Sequence, residues 1–266
     1  MEEKIIKYPR TKHIEGSMIQ KGDEDLKLVS LKEILGKNIV IEEKVDGANV
    51  AISFNDEGKL LLQNRGHFLR GGYKERDYDL FKSGAEAIKD KLFFVLKNRY
   101  IMYGEWMYVK HYVYYDMLPH YFLEFDIYDK KEEIFLDTKS RKELLKDLPI
   151  YSVPVLKEGK FNKIEDILSC IKKSNYISEN HLNNLYNEAI KQKVDPNDII
   201  NKTDNTKLME GLYIKVEENG QVILRAKYVR TGFSQIASID DTNWLQRKVI
   251  PNKLDKELDE LFLEEY

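Results

Sequence analysis

Two short apolar β-branched runs, Ile39-Val40-Ile41 and Val50-Ala51-Ile52, stand on either side of the polar stretch Glu42-Glu43-Lys44-Val45-Asp46-Gly47-Ala48-Asn49. Runs of this kind fold as strands, and the Asp-Gly between them supplies a tight turn, so the chain is committed to strand pairing with one lysine at a strand end. A lysine there, desolvated and near other cations, loses part of its preference for the ammonium form, and its free amine attacks phosphorus or carbonyl carbon. Lys44 is therefore a candidate nucleophile. The same few residues also describe a surface hairpin with a solvated lysine, and the rest of the chain has to decide between the two.

The other segments alternate between strand-like and helix-like without a regular βαβ rhythm, which predicts an α+β fold of mainly antiparallel sheets flanked by helices. Residues 37–43, 48–55 and 59–65 read as three strands of one meander with Lys44 at a corner, the last two joined by Asn55-Asp56-Glu57-Gly58. Phe81, Ala85, Ile88 and Leu92 fall on one face of a helix over 78–97, and strands follow at 100–107 and 121–129. The stretch 138–208 reads as a mostly helical, polar insertion. A final helix over 253–264 would align Leu254, Leu258, Leu261 and Phe262.

Glu218-Asn219-Gly220 is the strongest short hairpin signal, between strands at 209–217 and 221–230. With Glu218 opposite Gln221, strict alternation puts Glu210, Arg225 and Lys227 on one face and Lys215 on the other; a bulge would invert that. A carboxylate beside two cations is the constellation that a metal–nucleotide site requires.

Charge and cysteine usage bound the partners. With 43 Lys+Arg against 46 Asp+Glu and a formal charge of −3, the chain has no global attraction for a polyanion, so any such site is a local patch. The one cysteine, Cys170, sits at helical spacing among Ile164, Ile167, Leu168 and Ile171 and reads as a buried structural thiol. The five histidines, at 13, 67, 111, 120 and 181, lack metal-ligand spacing and read as ordinary polar residues. The start of the chain lacks a signal-peptide pattern and no apolar run reaches the roughly 18 residues of a membrane span, which predicts a cytoplasmic protein without membrane contact.

Six motifs recur in a set order: Lys44-Val45-Asp46-Gly47, Asn64-Arg65-Gly66, Tyr103-Gly104-Glu105, Phe122-Leu123-Glu124-Phe125-Asp126, Glu210-Gly211-Leu212-Tyr213-Ile214-Lys215 and Arg225-Ala226-Lys227. Together they resemble the ordered motifs of covalent nucleotidyltransferases, the superfamily of polynucleotide ligases and messenger RNA capping enzymes. Asn49 and the opening Tyr8-Pro9-Arg10-Thr11-Lys12-His13-Ile14-Glu15-Gly16-Ser17 are most similar to the RNA ligase branch related to the second RNA ligase of phage T4. The resemblance spans residues 8 to about 230.

That resemblance implies a nucleotidyltransferase domain over 1–235 and a short C-terminal helical extension over 236–266. It implies ATP and Mg2+ (or Mn2+) as cofactors. The Lys44 amine would attack the α-phosphorus of ATP, leaving lysyl-AMP; AMP would pass to an RNA 5′-phosphate, and a 3′-hydroxyl would seal the ends. Lys227, Arg225 and Arg65 would balance phosphate charge. Glu105 would hold the ribose hydroxyls or metal-bound water, Glu210 would serve the metal, and Phe125 would stack on adenine. Asp46 and Asn49 either shape the turn or touch phosphate or ribose. The plainer readings are a solvated strand-end Arg65, a structural ion pair at Glu105 and a core Phe125. Arg225 departs from the usual lysine and would bind phosphate as a planar fork. Only 36 residues follow Arg230, too few for an oligonucleotide-binding barrel, so a basic rim of Arg65, Arg70, Lys74 and Arg76, with a partner or second copy, would hold the RNA. A DNA-joining or capping transferase, or an inactive end-binding module, shares much of this pattern.

Overall fold

The computed structural model describes residues 3–19, 22–233 and 249–255. Its eleven strands, among the described residues, form two sheets. The first takes β1 (Lys12–His13), β2 (Asn38–Lys44), β9 (Val155–Lys160), β10 (Gly211–Glu218) and β11 (Gln221–Val229) in the order β1-β11-β10-β2-β9. The second takes β3 (Ala48–Phe54), β4 (Leu60–Asn64), β5 (Tyr100–Trp106), β6 (Phe122–Asp129) and β7 (Ile134–Phe135) in the order β4-β3-β5-β6-β7, with β8 (Tyr151–Ser152) on β6. Pairing is antiparallel except for β1 on β11 and β8 on β6.

The strands fall where alternation predicts them, but their assembly differs from a single meander. β2 and β3 belong to different sheets, so Val45-Asp46-Gly47 is a crossover and Lys44 is the last residue before it. Gly47 is required by close packing: a Cβ there would lie 2.7 Å from the Trp106 carbonyl oxygen and 2.8 Å from the Met107 sulfur. A second crossover, Val153-Pro154, runs from β8 to β9. Consequently the stretch 138–208 is not helical throughout, because it contributes one strand to each sheet. It also carries α3 (Thr138–Leu145), α4 (Ile164–Leu168), α5 (His181–Lys191) and α6 (Pro196–Asn201).

Each sheet has one apolar face. Ile39, Ile41, Leu212, Ile214, Val216 and Ala226 of the first sheet pack with Ile14, Ile167 and Cys170, which is buried as expected. Val50, Ile52, Phe54, Met102 and Phe122 of the second pack on α1 (Asp79–Ala87) and α2 (Lys89–Leu96) through Phe81, Ala85, Leu92 and Leu96. Burying each of these large side chains stabilises the fold by about 1.5–3 kcal/mol. The helix expected over 78–97 is broken at Ile88, whose dihedrals (φ −108°, ψ 18°) leave the helical region. Residues 256–264 of the expected last helix lie outside the described residues; residues 253–255 are extended, with Leu254 bridging Leu118.

The other faces turn toward each other, and there the hairpin's register matters. Glu217 opposes Val222, but a bulge between Val216 and Glu217 sets Lys215 opposite Arg225 and Tyr213 opposite Lys227. The bulge inverts the alternation, so Lys215 shares a face with Arg225 and Lys227 rather than pointing away. Its ammonium is fully buried, 2.8 Å from Glu42 and 3.2 Å from Asp126. Arg225 Nε lies 2.9 Å from Asp126, and Arg141 of α3 reaches Glu42 at 2.5 Å and Glu124 at 3.4 Å. Three cations and three carboxylates thus join both sheets and α3. Asp137 caps α3 by accepting from Ser140 N at 2.8 Å, which fixes the turn that delivers Arg141.

Candidate active site

The two crossovers border a cleft of about 1040 Å³ that is lined by Lys44, Asp46, Asn49, Arg65, Glu105, Phe125, Glu210 and Lys227. All of these were expected in the site, and the fold brings them together from five strands and the segments between them. Arg225 does not line it. Its guanidinium is held behind the wall by Asp126 and lies 3.7 Å from the Phe135 ring centroid.

Lys44 Nζ lies 2.6 Å from Glu210 Oε2. Glu210 stands one residue before β10, outside the alternation of the ladder, and Gly211 behind it allows close strand approach: a Cβ there would sit 1.9 Å from the Tyr228 carbonyl oxygen. The electrostatics of Lys44 are the reverse of the sequence expectation. Burial pushes its ammonium down, but Glu210, Glu105 and Asp46 outweigh it, and the net shift is upward. Lys44 is thus stored as an ammonium.

The neighbouring carboxylates respond in kind. Burial pushes Glu105 up to about 7, with Lys44 opposing and Glu210 and Asp46 adding to the rise. Burial likewise pushes Glu210 up to about 7 against the pull of Lys44. Glu105 also accepts from Gly47 N at 3.2 Å, which ties it to the crossover. Asp46 Oδ2 accepts from Tyr112 N at 2.7 Å and Val113 N at 2.9 Å, while Asp46 N donates to Tyr115 Oη at 3.0 Å. Asp46 therefore anchors the turn to the 112–115 segment while also lining the cleft.

Phe125 is half-buried on the cleft wall, edge-on to Tyr8 with ring centroids 5.1 Å apart, so the core and pocket readings hold together. Tyr8 donates to Asp126 at 2.5 Å and shares a hydrogen bond with Tyr213 at 2.7 Å, which fastens the opening segment to both sheets. Arg65 is exposed at the mouth, just past β4.

Lys227 faces the cleft with its Nζ 2.5 Å from Asp23. Burial, and then Lys44, lower its affinity for a proton, while Asp23 opposes them. Two residues of this layer were missed. Asp23 carries no strand or turn pattern that would point it at a cation two hundred residues away. His13, read as an ordinary polar residue, is buried with Nδ1 2.8 Å from Ser17 and Nε2 3.4 Å from Asp23. Burial and Lys227 hold its imidazole down at about 4, so it is neutral at pH 7.

Family comparison accords with this geometry. The RNA ligase family model matches residues 37–229, a span that runs from β2 through β11 and contains both crossovers. The chain belongs to the RNA ligase family. No curated protein matches it by sequence. Among solved structures, a lysine-to-alanine variant of Naegleria gruberi RNA ligase with ATP and Mn matches at 18% identity and a TM-score of 0.51, covering 79% of this chain and 54% of that one. A glutamate-to-alanine variant with ATP and Mn gives 18% identity and 0.50 over 77% and 53%. A lysine-to-methionine variant with AMP and Mn gives 17% and 0.50 over 77% and 53%. This family member spans about half the length of those proteins, and the likeness establishes a shared fold.

The site's carboxylates also define what metal they fit. Among the described residues no three His, Cys, Asp or Glu side chains converge on one point, so there is no all-protein cage. Glu105, half-buried, and Glu210, buried, are two cleft carboxylates short of positive charge, which suits Mg2+ or Mn2+ held by one or two carboxylates together with substrate phosphates and water. Among the described residues no helix is long and apolar enough to cross a membrane.

Proposed function

We propose that this chain is an ATP-dependent RNA ligase that joins 5′-phosphate and 3′-hydroxyl RNA ends in the cytoplasm. The observation that carries the reading is the placement of Lys44 on the cleft, 2.6 Å from Glu210 and with Lys227 in the same lining. In the first step Lys44 Nζ forms a bond to the α-phosphorus of ATP and the bond to pyrophosphate breaks. The amine must first shed a proton, and Glu210, pushed up to about 7, is the nearest base to take it. Lys227 leaves Asp23 for phosphate oxygens, Phe125 flanks the base, and Glu105 accepts from ribose hydroxyls or holds metal-bound water. Asn49 and Arg65, both in the cleft lining, would contact phosphate or the RNA end. A divalent ion held by Glu105, and by Glu210 once it has passed on the proton from Lys44, would stabilise charge on the phosphates. AMP then moves to the RNA 5′-phosphate, and the 3′-hydroxyl displaces it. A second copy or a protein partner holding the RNA belongs to the same proposal, since the net charge of −3 gives no general attraction.

The test is incubation with each α-labelled nucleoside triphosphate and magnesium, followed by denaturing electrophoresis. Label should transfer from ATP to wild type, survive base, be lost in acid as a phosphoramidate is, and be absent from Lys44→Ala. Label retained by Lys44→Ala defeats the assignment; transfer from GTP in preference to ATP moves it to capping chemistry.

A further inference from the structure

The loop after β4 carries four cations and one carboxylate over residues 65–76, in a chain whose net charge is negative. It has a defined shape. The Asn64 side-chain carbonyl accepts from Gly66 N and His67 N, both at 2.9 Å, and Leu69 N returns to Leu62 O at 2.8 Å. Beyond the bend at Gly71 and Gly72, both at positive φ, the buried carboxylate of Glu75 accepts from Arg70 N at 3.3 Å and Gly71 N at 2.6 Å. His67 at 3.6 Å and Lys82 at 3.7 Å face the same carboxylate. Glu75 therefore spends its charge inside the loop, while Arg65, Arg70, Lys74 and Arg76 are exposed.

Between these cations stands Tyr73, 76% exposed, with the Arg76 guanidinium 4.2 Å from its ring centroid. A guanidinium over one face fixes the ring and leaves most of it in water. The loop begins at Arg65 in the cleft lining, and along the chain Arg70 precedes Tyr73 and Lys74 follows it, so the exposed ring has a cation on either side. Another exposed aromatic pair, Phe93 and Phe94, borders a groove that sets Asp56 and Asp90 against Lys97, a balance less favourable to phosphate.

We propose that Tyr73, backed by Arg76, is a stacking platform for an unpaired RNA base outside the cleft, with Arg70 and Lys74 on the adjoining phosphates. This rests on the RNA ligase reading and adds to it a site for single-stranded RNA. Base–aromatic stacking tolerates any sequence and typically changes affinity by roughly tenfold per platform.

The probe is a labelled, 5′-phosphorylated single-stranded oligoribonucleotide, titrated beside the same strand in a full duplex, across a salt series. Tyr73→Ala should weaken single-strand binding by roughly tenfold with an unchanged salt slope, and leave duplex binding intact. Tyr73→Trp should keep single-strand binding. Arg70→Gln should instead lower the salt slope by roughly one phosphate contact. Wild-type affinity in Tyr73→Ala, or equal losses on single strand and duplex, would overturn the platform. Lysyl-AMP formation measured on the same preparations separates the two ideas: wild type that takes no label sinks the ligase reading, whereas normal label with undiminished RNA binding by Tyr73→Ala sinks the platform alone.

Discussion

Two clusters of charge lie on either side of one wall, and they have opposite balance. Behind the wall, Asp126 is fully buried; burial pushes its carboxyl up, but Lys215, Arg225 and Arg141 outweigh that and pull it down to about 2. In the cleft, Glu105 and Glu210 are pushed up to about 7, because burial exceeds what Lys44 returns. The sealed cluster sets three cations against three fully buried acids, enough to hold Asp126 down, while Glu124 at its edge is still pushed up because burial outweighs Arg141. The open one is short of positive charge and faces the solvent. Both draw on the same β2–β10–β11 ribbon, so the ribbon's residue types alone do not separate structure from chemistry. What separates them is whether the charges are already matched: a matched cluster holds the sheets, and a mismatched one is ready for a ligand that brings charge.

The largest expected effect breaks the sealed side. Lys215→Met should destabilise the fold by about 3–5 kcal/mol, because Glu42 and Asp126 lose a buried partner. Chemical denaturation measures this, and a near-neutral result would mean that Arg141 and Arg225 alone satisfy both acids. On the open side, Glu105→Gln and Glu210→Gln should each slow lysyl-AMP formation by about a hundredfold while the protein stays folded. Since Glu210 helps to raise Lys44, its replacement should also move the rising limb of the rate–pH profile to lower pH. A limb that stays in place would remove Glu210 from the proton's path.

The smallest effect is a pair of opposite pH dependences of stability. Glu105 and Glu210 are raised in the folded state from 4.5 to about 7, so their contribution is full below about 4.5 and is lost as pH rises through about 7. Asp126 is depressed from 3.8 to about 2, so its contribution is present above about 3.8 and is lost as pH falls through about 2. Melting curves of Glu105→Gln and Glu210→Gln between pH 5 and 8 should be flatter than wild type; unchanged curves would show that the cleft acids titrate normally.

Strand and hairpin positions were legible because β-branched runs and turn residues mark them: β3 falls within one residue of its expected end, and the turn at Asn219-Gly220 is where the sequence puts it. Assembly was less so. Val45-Asp46-Gly47 looks like a hairpin turn, yet Gly47 answers to the Trp106 carbonyl on another strand, a contact with no local signature. β9 is a half-exposed edge strand, Val-Leu-Lys-Glu-Gly-Lys, whose composition does not distinguish it from a helix. The motifs located eight of the nine expected site residues on the cleft. The ninth, Arg225, was expected in the site and lies behind the wall on Asp126, and the inward turn of Lys215 depended on a one-residue bulge that alternation cannot foresee.

The sealed cluster also has a consequence in time. Its partners are far apart along the chain: Arg141 and Glu42 are separated by 99 residues, Arg225 and Asp126 by 99, and Tyr8 and Asp126 by 118. On a growing polypeptide, Glu42, Asp126 and Arg141 emerge well before Lys215 and Arg225 and must remain hydrated until the last hairpin arrives. Dehydrating any of them earlier would strand a charge, so the two sheets close as one late event and nucleotide-binding competence should appear abruptly, only once β11 has left the ribosome.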